Sequence, residues 1–260
     1  TDTQSFPYTS KVYPLFSKGA YGPYQQFSLN DIKEIVSFAQ ERGIRVVPEF
    51  DIPGHTGSWC WGYPEICPNP ACNTPSKTGS DSPDGILNPA TNMTYTMIEG
   101  LFNEATTVFM DDYFHIGGDE TQTSCWDKTP SIVDWEKANN FDDNDALLYF
   151  NKRALDIVNN KLDSGKGRKP IQWDEMFTKY EANITNKEVT IQVWHGANLI
   201  GSVVDAGFQG IFSPDAVWYL DNLKTSWKSM YMTEPTSYVT NKNNLALLLG
   251  GEGCMWGETV

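Results

Sequence analysis

The sequence predicts an α/β fold of parallel βαβ units arranged as a barrel, and three observations predict it. Segments with apolar residues at helical spacing alternate with short apolar runs, nearly every short run ends in a polar or aromatic cluster, and no Gly-x-Gly-x-x-Gly turn opens a helix. The second observation separates a barrel from a doubly wound sheet, because barrel enzymes gather their reacting groups from the C-terminal ends of many strands.

The elements follow in order. Ser28-Leu29-Asn30-Asp31 starts a segment in which Ile32, Ile35, Val36 and Ala39 share a face and Gly43 closes it, which predicts an amphipathic helix over 29–42. Residues 44–50 then read as a buried strand. Ile98, Leu101, Phe102, Ala105 and Phe109 predict a helix over 94–109, followed by a strand at 113–116, and a third helix over 145–162 precedes a strand at 170–173. Further strands are expected at 189–194, 210–213 and 245–250. Their ends carry Glu49 and Asp51, then Asp119 and Glu120, Trp173 to Glu175, Trp194 and His195, Tyr219 and Asp221, and finally Glu252 to Glu258.

The 260 residues, 40% of them hydrophobic, suffice for one large domain with a sizeable core, which excludes disordered and fibrous classes. Nineteen Lys and Arg against 33 Asp and Glu give a net charge of -14, without a basic stripe, so nucleic acid is excluded as a partner. The longest apolar run, Leu245–Leu249 with its flanks, falls well short of the roughly 20 residues of a membrane span. Thr1 to Pro7 lack the charged and apolar regions of a signal peptide, so the natural N-terminus is expected upstream.

Of five cysteines, Cys60, Cys67 and Cys72 share one loop, Cys125 follows a separate motif and Cys254 sits in an apolar context. The three histidines, His55, His115 and His195, lie too far apart for a zinc motif, so a loop disulfide is expected and no metal. The sequons Asn92-Met93-Thr94 and Asn183-Ile184-Thr185 point the same way, toward the secretory pathway or lysosome.

The sharpest chemical signal is Phe114-His115-Ile116-Gly117-Gly118-Asp119-Glu120, an apolar strand that ends in two glycines and two adjacent acids. Glycines let a ligand approach the backbone, and neighbouring carboxylates repel, so at least one should hold its proton to higher pH, as a general acid requires. Trp173, Trp194, Tyr219 and Trp256 stand at later strand ends beside Asp174, Glu175, Asp221 and Glu258. Aromatic faces stack on the apolar faces of sugars while carboxylates accept from hydroxyls, so the mixture suits a carbohydrate pocket.

These residues resemble the β-N-acetylhexosaminidases of glycoside hydrolase family 20 over essentially the whole chain. The likeness rests on Asp2-Thr3-Gln4-Ser5-Phe6-Pro7, the run from Arg42 through Pro48-Glu49-Phe50-Asp51-Ile52-Pro53-Gly54-His55, the Gly-Gly-Asp-Glu motif, Trp218-Tyr219-Leu220-Asp221, and Gly250-Gly251-Glu252-Gly253-Cys254-Met255-Trp256-Gly257-Glu258. It implies a (β/α)8 TIM barrel and an exo-acting, retaining, substrate-assisted glycosidase without cofactor, an exception to the two-carboxylate scheme. Asp119 would hold the acetamide N–H and stabilise the oxazolinium, Tyr219 would donate to the acetamide oxygen, and Glu120 would protonate the leaving oxygen and then activate water. Trp173, Trp194 and Trp256 would line the acetamide pocket, and Asp221 and Glu258 would bind sugar hydroxyls. His55 would couple with Asp2 near the general acid, Glu49 and Asp51 would orient their neighbours, His115 is read as structural and His195 as not catalytic.

The resemblance also implies departures. The chain begins just after the family's His-Trp-His strand and an earlier sugar-gripping arginine, so the barrel is expected to lack its first strand and most of its second. It stops at Val260, where the family continues with a helix. Residues 1–260 would then be one partial catalytic domain, unstable or weakly active in isolation. Asn222, where some members carry a basic residue, argues against sulfated or sialylated sugars, and Cys125 would pair with Cys72 or Cys67. Partners implied are N-acetylhexosamine-terminated glycans or chitooligosaccharides, and a homodimer fits. A chitobiase or lacto-N-biosidase specificity, a non-catalytic sugar-binding relative, and a two-carboxylate glycosidase with a nucleophile about 5–5.5 Å from the acid are the alternatives.

Overall fold

In the computed structural model, which describes residues 1–68, 85–184 and 186–257, the first helix is started by a reciprocal cap. Ser28 Oγ accepts from the Asp31 N–H at 3.2 Å while Asp31 accepts from the Ser28 N–H at 2.7 Å, an arrangement of about 1 kcal/mol. This helix, α1, spans Leu29–Gln40 and buries Ile32 and Ala39. The chain divides into two units, Thr1–Pro170 and Ile171–Val260.

The first unit continues with α2 (Asn92–Thr106), β1 (Tyr113–His115), α3 (Pro130–Asn139) and α4 (Asp143–Asp156), the last running into a π-helical turn at Ile157–Lys161. Phe50, Phe102 and Phe114 form its central aromatic contact, with ring centroids 4.6 Å apart for Phe102 and Phe114 and 5.9 Å for Phe50 and Phe114. Phe6 stacks on Phe16 at 4.7 Å and meets Trp59 edge-on at 5.3 Å, and all three are fully buried. Each such ring contributes about 1.5–3 kcal/mol by burial, and together they anchor the segment that carries Asp2.

The buried strand expected at 44–50 is corrected by the structure. Only Glu49 forms a bridge, parallel to His115, with the His115 N–H donating to Pro48 O at 3.0 Å and the Phe50 N–H to His115 O at 3.1 Å. Ile44 and Val47 are exposed. Ahead of this bridge a side-chain pair takes the place of backbone pairing: Arg45 grips Asp111 with two hydrogen bonds of 2.6 Å, and Asp111 also accepts from the Tyr113 N–H.

The disulfide expectation is also settled in part. Cys67 pairs with Cys60 across the short turn Pro64–Ile66, with Cα atoms 5.9 Å apart, so it is not the partner of Cys125. Cys125 is itself disulfide-bonded, and Cys72 lies outside the described residues.

The second unit begins within β2 (Lys169–Trp173), after which α5 (Asp174–Tyr180), β3 (Thr190–Val193), α6 (Leu199–Asp205) and β4 (Gln209–Phe212) follow in strict alternation. Then come α7 (Asp215–Trp218), α8 (Trp227–Met232) and β5 (Leu248–Gly251). β2 pairs with β3, β3 with β4 and β4 with β5, all parallel and all neighbours in chain order. A doubly wound sheet would reverse its order at a switch point, and this succession does not. Ile191, Val193 and Phe212 are fully buried, and Phe177 of α5 meets Phe208 edge-on at 5.6 Å.

Candidate active site

In the first unit the residues that follow β1 turn sharply. Gly117 and Gly118 adopt φ of 64° and 97°, and a Cβ on Gly117 would overlap the Asp51 carboxylate, so glycine is required there. The Gly118 N–H donates to Asp51 Oδ1 at 2.8 Å, which fixes the turn against the segment carrying Asp51 and His55. Glu120 also takes a positive φ of 45°, and the two adjacent acids part company: the Asp119 side chain is 14% exposed and that of Glu120 is 55% exposed.

His55 is the hub of this cluster. Its Nδ1 lies 3.1 Å from Asp2 Oδ1 and 3.7 Å from Asp51 Oδ2, while its Nε2 lies 3.5 Å from Glu120 Oε2 and 4.0 Å from Asp119 Oδ2. Asp2 is held in turn by the Thr3 N–H, at 2.6 Å to its carboxylate, and by Ser58 Oγ, which donates to its carbonyl. Glu49 stands behind the cluster, 3.4 Å from His115 Nδ1, and the same nitrogen accepts from the Gly117 N–H at 3.0 Å. The His115 ring thus engages the turn through the Gly117 N–H.

The electrostatics separate the carboxyls. Burial is the main cause that pushes Asp51 well above the ordinary carboxylate range, and the charges of Asp119 and Glu49 add to it. Burial likewise raises Asp119, against the opposing influence of His55 and of its hydrogen bond with Asp51. For Asp2 burial acts upward, yet the hydrogen bond and charge of His55 prevail and its carboxyl is lowered. Asp119 thus rises through burial, not through the repulsion between adjacent carboxylates that the sequence suggested. Its Oδ1 is buried and, among the described residues, has no hydrogen-bond partner, which leaves an acceptor unmet there.

The second unit gathers the aromatic residues. Trp173 lies 6.1 Å from Trp256, Trp256 lies 6.2 Å from Tyr219, and Tyr219 stacks nearly parallel to Trp194 at 6.4 Å. Tyr219 is placed by a parallel bridge to Cys254, with the Leu220 N–H donating to Cys254 O at 2.7 Å and the Cys254 N–H to Trp218 O at 3.0 Å. Asp221 accepts from the Trp256 N–H at 3.5 Å. Glu258 lies outside the described residues. Among the sequence-predicted residues, then, the structure brings together Asp2, Glu49, Asp51, His55, Asp119 and Glu120 in one unit and Trp173, Trp194, Tyr219, Asp221 and Trp256 in the other.

Two groups at these strand ends bring carboxylate and imidazole donors within 4.8 Å of one another, Asp51 with His55 and Asp119, and Asp174 with Glu175 and His195. The second is tied together by hydrogen bonds. Asp174 accepts from the N–H groups of Trp194 and His195 and from the His195 ring, and Glu175 accepts from the Trp194 indole at 3.1 Å. Asp174 and Glu175 stand among the polar residues at strand ends in the sequence, but this grip does not show there. An acid after one strand and a histidine after the next were its only signal in the sequence.

Compared with known proteins, the chain matches Glycosyl hydrolase family 20, catalytic domain, over residues 1–260. It belongs to that family. It is similar to Beta-hexosaminidase 1 of Arabidopsis thaliana, 37% identical over 259 residues that cover 100% of this chain and 45% of that protein. Beta-hexosaminidase subunit alpha of Bos taurus is 37% identical over 273 residues, covering 100% of this chain and 49% of its own. The chain thus spans about half the length of these family 20 relatives. Among solved structures, Flavobacterium johnsoniae chitobiase superposes with a TM-score of 0.78 at 29% identity, covering 98% of this chain and 38% of that one. A family 20 exo β-N-acetylglucosaminidase mutant from Vibrio harveyi reaches a TM-score of 0.83 at 22% identity over 100% of this chain and 45% of its own, a likeness of fold. The fold class is the family's α/β TIM barrel, of which this chain carries a part.

Proposed function

We propose that residues 1–260 act as part of one catalytic domain of an exo-acting, retaining β-N-acetylhexosaminidase that removes terminal N-acetylglucosamine or N-acetylgalactosamine through an oxazolinium intermediate. The observation that carries the reading is the acid pair itself: a buried Asp119 with an unmet acceptor beside an exposed Glu120, both near His55. A substrate acetamide N–H supplies the donor that Asp119 lacks, and its carbonyl oxygen attacks the anomeric carbon. Positive charge then develops on the acetamide nitrogen, where a buried carboxylate stabilises it strongly because little water screens the pair.

Glu120 is exposed enough to reach a leaving oxygen, to which it gives its proton, and it then takes a proton from the water that opens the oxazolinium. Tyr219 donates to the acetamide oxygen, Trp173, Trp194 and Trp256 pack on the acetamide and sugar faces, and Asp221 and Glu258 accept from sugar hydroxyls. His55, tied to Asp2, places its ring against the Glu120 carboxyl, while Asp51 and Glu49 orient the turn.

The natural partners proposed are N-acetylhexosamine-terminated glycans or chitooligosaccharides, and likeness to a chitobiase supports the second reading of a chitobiose specificity. Lysosomal or secreted localisation is supported by the Cys60–Cys67 disulfide, and a homodimer fits the family. No helix among the described residues is long and apolar enough to cross a membrane. The test is aryl release by the full-length protein from an N-acetyl-β-glucosaminide and from the plain β-glucoside at mildly acidic pH. Cleavage of the acetamido substrate alone is expected, and equal cleavage of both would overturn substrate assistance.

A further inference from the structure

Asp174 is completely buried, yet it follows Trp173 at the end of β2, where every neighbour named so far would face a sugar. Its three hydrogen bonds among the described residues go to the two residues that follow β3. Oδ2 accepts from the Trp194 N–H at 2.8 Å and the His195 N–H at 3.0 Å, and Oδ1 lies 2.7 Å from His195 Nδ1. The next residue, Glu175, takes the Trp194 indole N–H with both oxygens at 3.1 Å. Consecutive carboxylates thus hold Trp194 by its backbone and by its ring, and that ring stacks on Tyr219.

A carboxylate this deep is costly unless a cation balances it. The group beside it that can supply one is His195, which packs on Trp194 at 3.8 Å and is half-exposed, so protons reach it. Among the described residues the charged groups facing His195 are acidic: Asp174 and Glu175 from the start of α5, and Asp215 from the start of α7, whose N–H donates to Trp194 O at 3.1 Å. We propose that His195 and Asp174 form a positioning pair that holds Trp194, and through it Tyr219, in the orientation a bound sugar needs, so that affinity for the sugar follows the protonation of His195. This inference rests on the hexosaminidase reading.

Burial alone would favour the neutral imidazole, but the hydrogen bond and charge of Asp174, followed by Glu175 and Asp215, outweigh it and raise His195 above the ordinary histidine value. The pairing is therefore complete below the unfolded value and is lost as pH rises through the folded one. The test uses the full-length protein and an aryl N-acetyl-β-glucosaminide across pH 5 to 9. Wild-type KM is expected to rise about fivefold on the alkaline side, with kcat changing less. His195→Gln should raise KM at low pH and flatten its pH dependence, and His195→Lys should restore the low KM and carry it to higher pH. Trp194 emission, taken as the difference from Trp194→Phe, should titrate with the same midpoint in wild type and not in His195→Gln. Superimposable KM profiles for wild type and His195→Gln would overturn the pair while leaving the hexosaminidase standing. A full-length protein that cleaves no acetamido substrate would overturn the activity itself, and the emission titration would then decide whether His195 controls Trp194.

Discussion

The two units each carry an Asp-His-carboxylate group at a strand end, and they use it in opposite ways. In the first, Asp51 and Asp119 crowd one another, both are pushed upward mainly by burial, and Asp119 Oδ1 is left without a hydrogen-bond partner among the described residues. In the second, Asp174 is deeper still, but both oxygens are taken by N–H donors and its imidazole neighbour is raised. Similar residues leave an acceptor open in one cluster, as the proposed reaction needs, and fill the acceptors in the other, as a frame does.

The comparison predicts that changes in the first group cost activity and changes in the second cost stability or affinity. The largest effect is expected for Glu120→Gln, which removes the proposed proton donor and should lower kcat by about 10²–10⁴, with Tm unchanged because the side chain is exposed. Asp119→Asn follows with a loss of about 10²–10³ in kcat on the acetamido substrate and no loss of Tm. Asp174→Asn should behave inversely. An amide cannot balance His195 or accept all three hydrogen bonds, so denaturant unfolding should show about 1–3 kcal/mol lost and KM raised, with kcat less affected.

The smallest effect is a pH dependence. Asp51 is raised on folding, so the native state binds its proton more tightly, and the contribution is present below the unfolded carboxylate value and lost as pH rises through the folded one. Wild-type stability should therefore decline over that window above the ordinary carboxylate range. Asp51→Asn keeps the acceptor for the Gly118 N–H and should flatten the decline. A wild-type curve without the decline would remove Asp51 from the proton network.

Much of this was legible in the sequence because it rests on local rules. Apolar spacing and the Ser28 cap placed α1, and short apolar runs placed β2, β3 and β4 within a residue or two. Residues 44–50 misled because apolar content alone cannot tell a paired strand from an extended segment whose ladder gives way to the Arg45–Asp111 ion pair. The site residues were legible as types at strand ends, yet their division of labour was not. Nothing in Asp119-Glu120 says which acid faces inward; the turn through Gly117 and Gly118 and the positive φ at Glu120 decide it. The Asp174 grip was hidden because its partners lie 20 and 21 residues away, on the neighbouring strand's end.

The central claim is that Asp119 receives the acetamide of the substrate. The most direct measurement is the affinity of a cyclic thiazoline mimic of the oxazolinium for full-length wild-type and Asp119→Asn protein, read by competitive inhibition or by calorimetry. The account predicts tight binding to wild type and a loss of about 100-fold in Asp119→Asn, the worth of a charge-assisted hydrogen bond in a buried site. Equal affinity for the two proteins would contradict it.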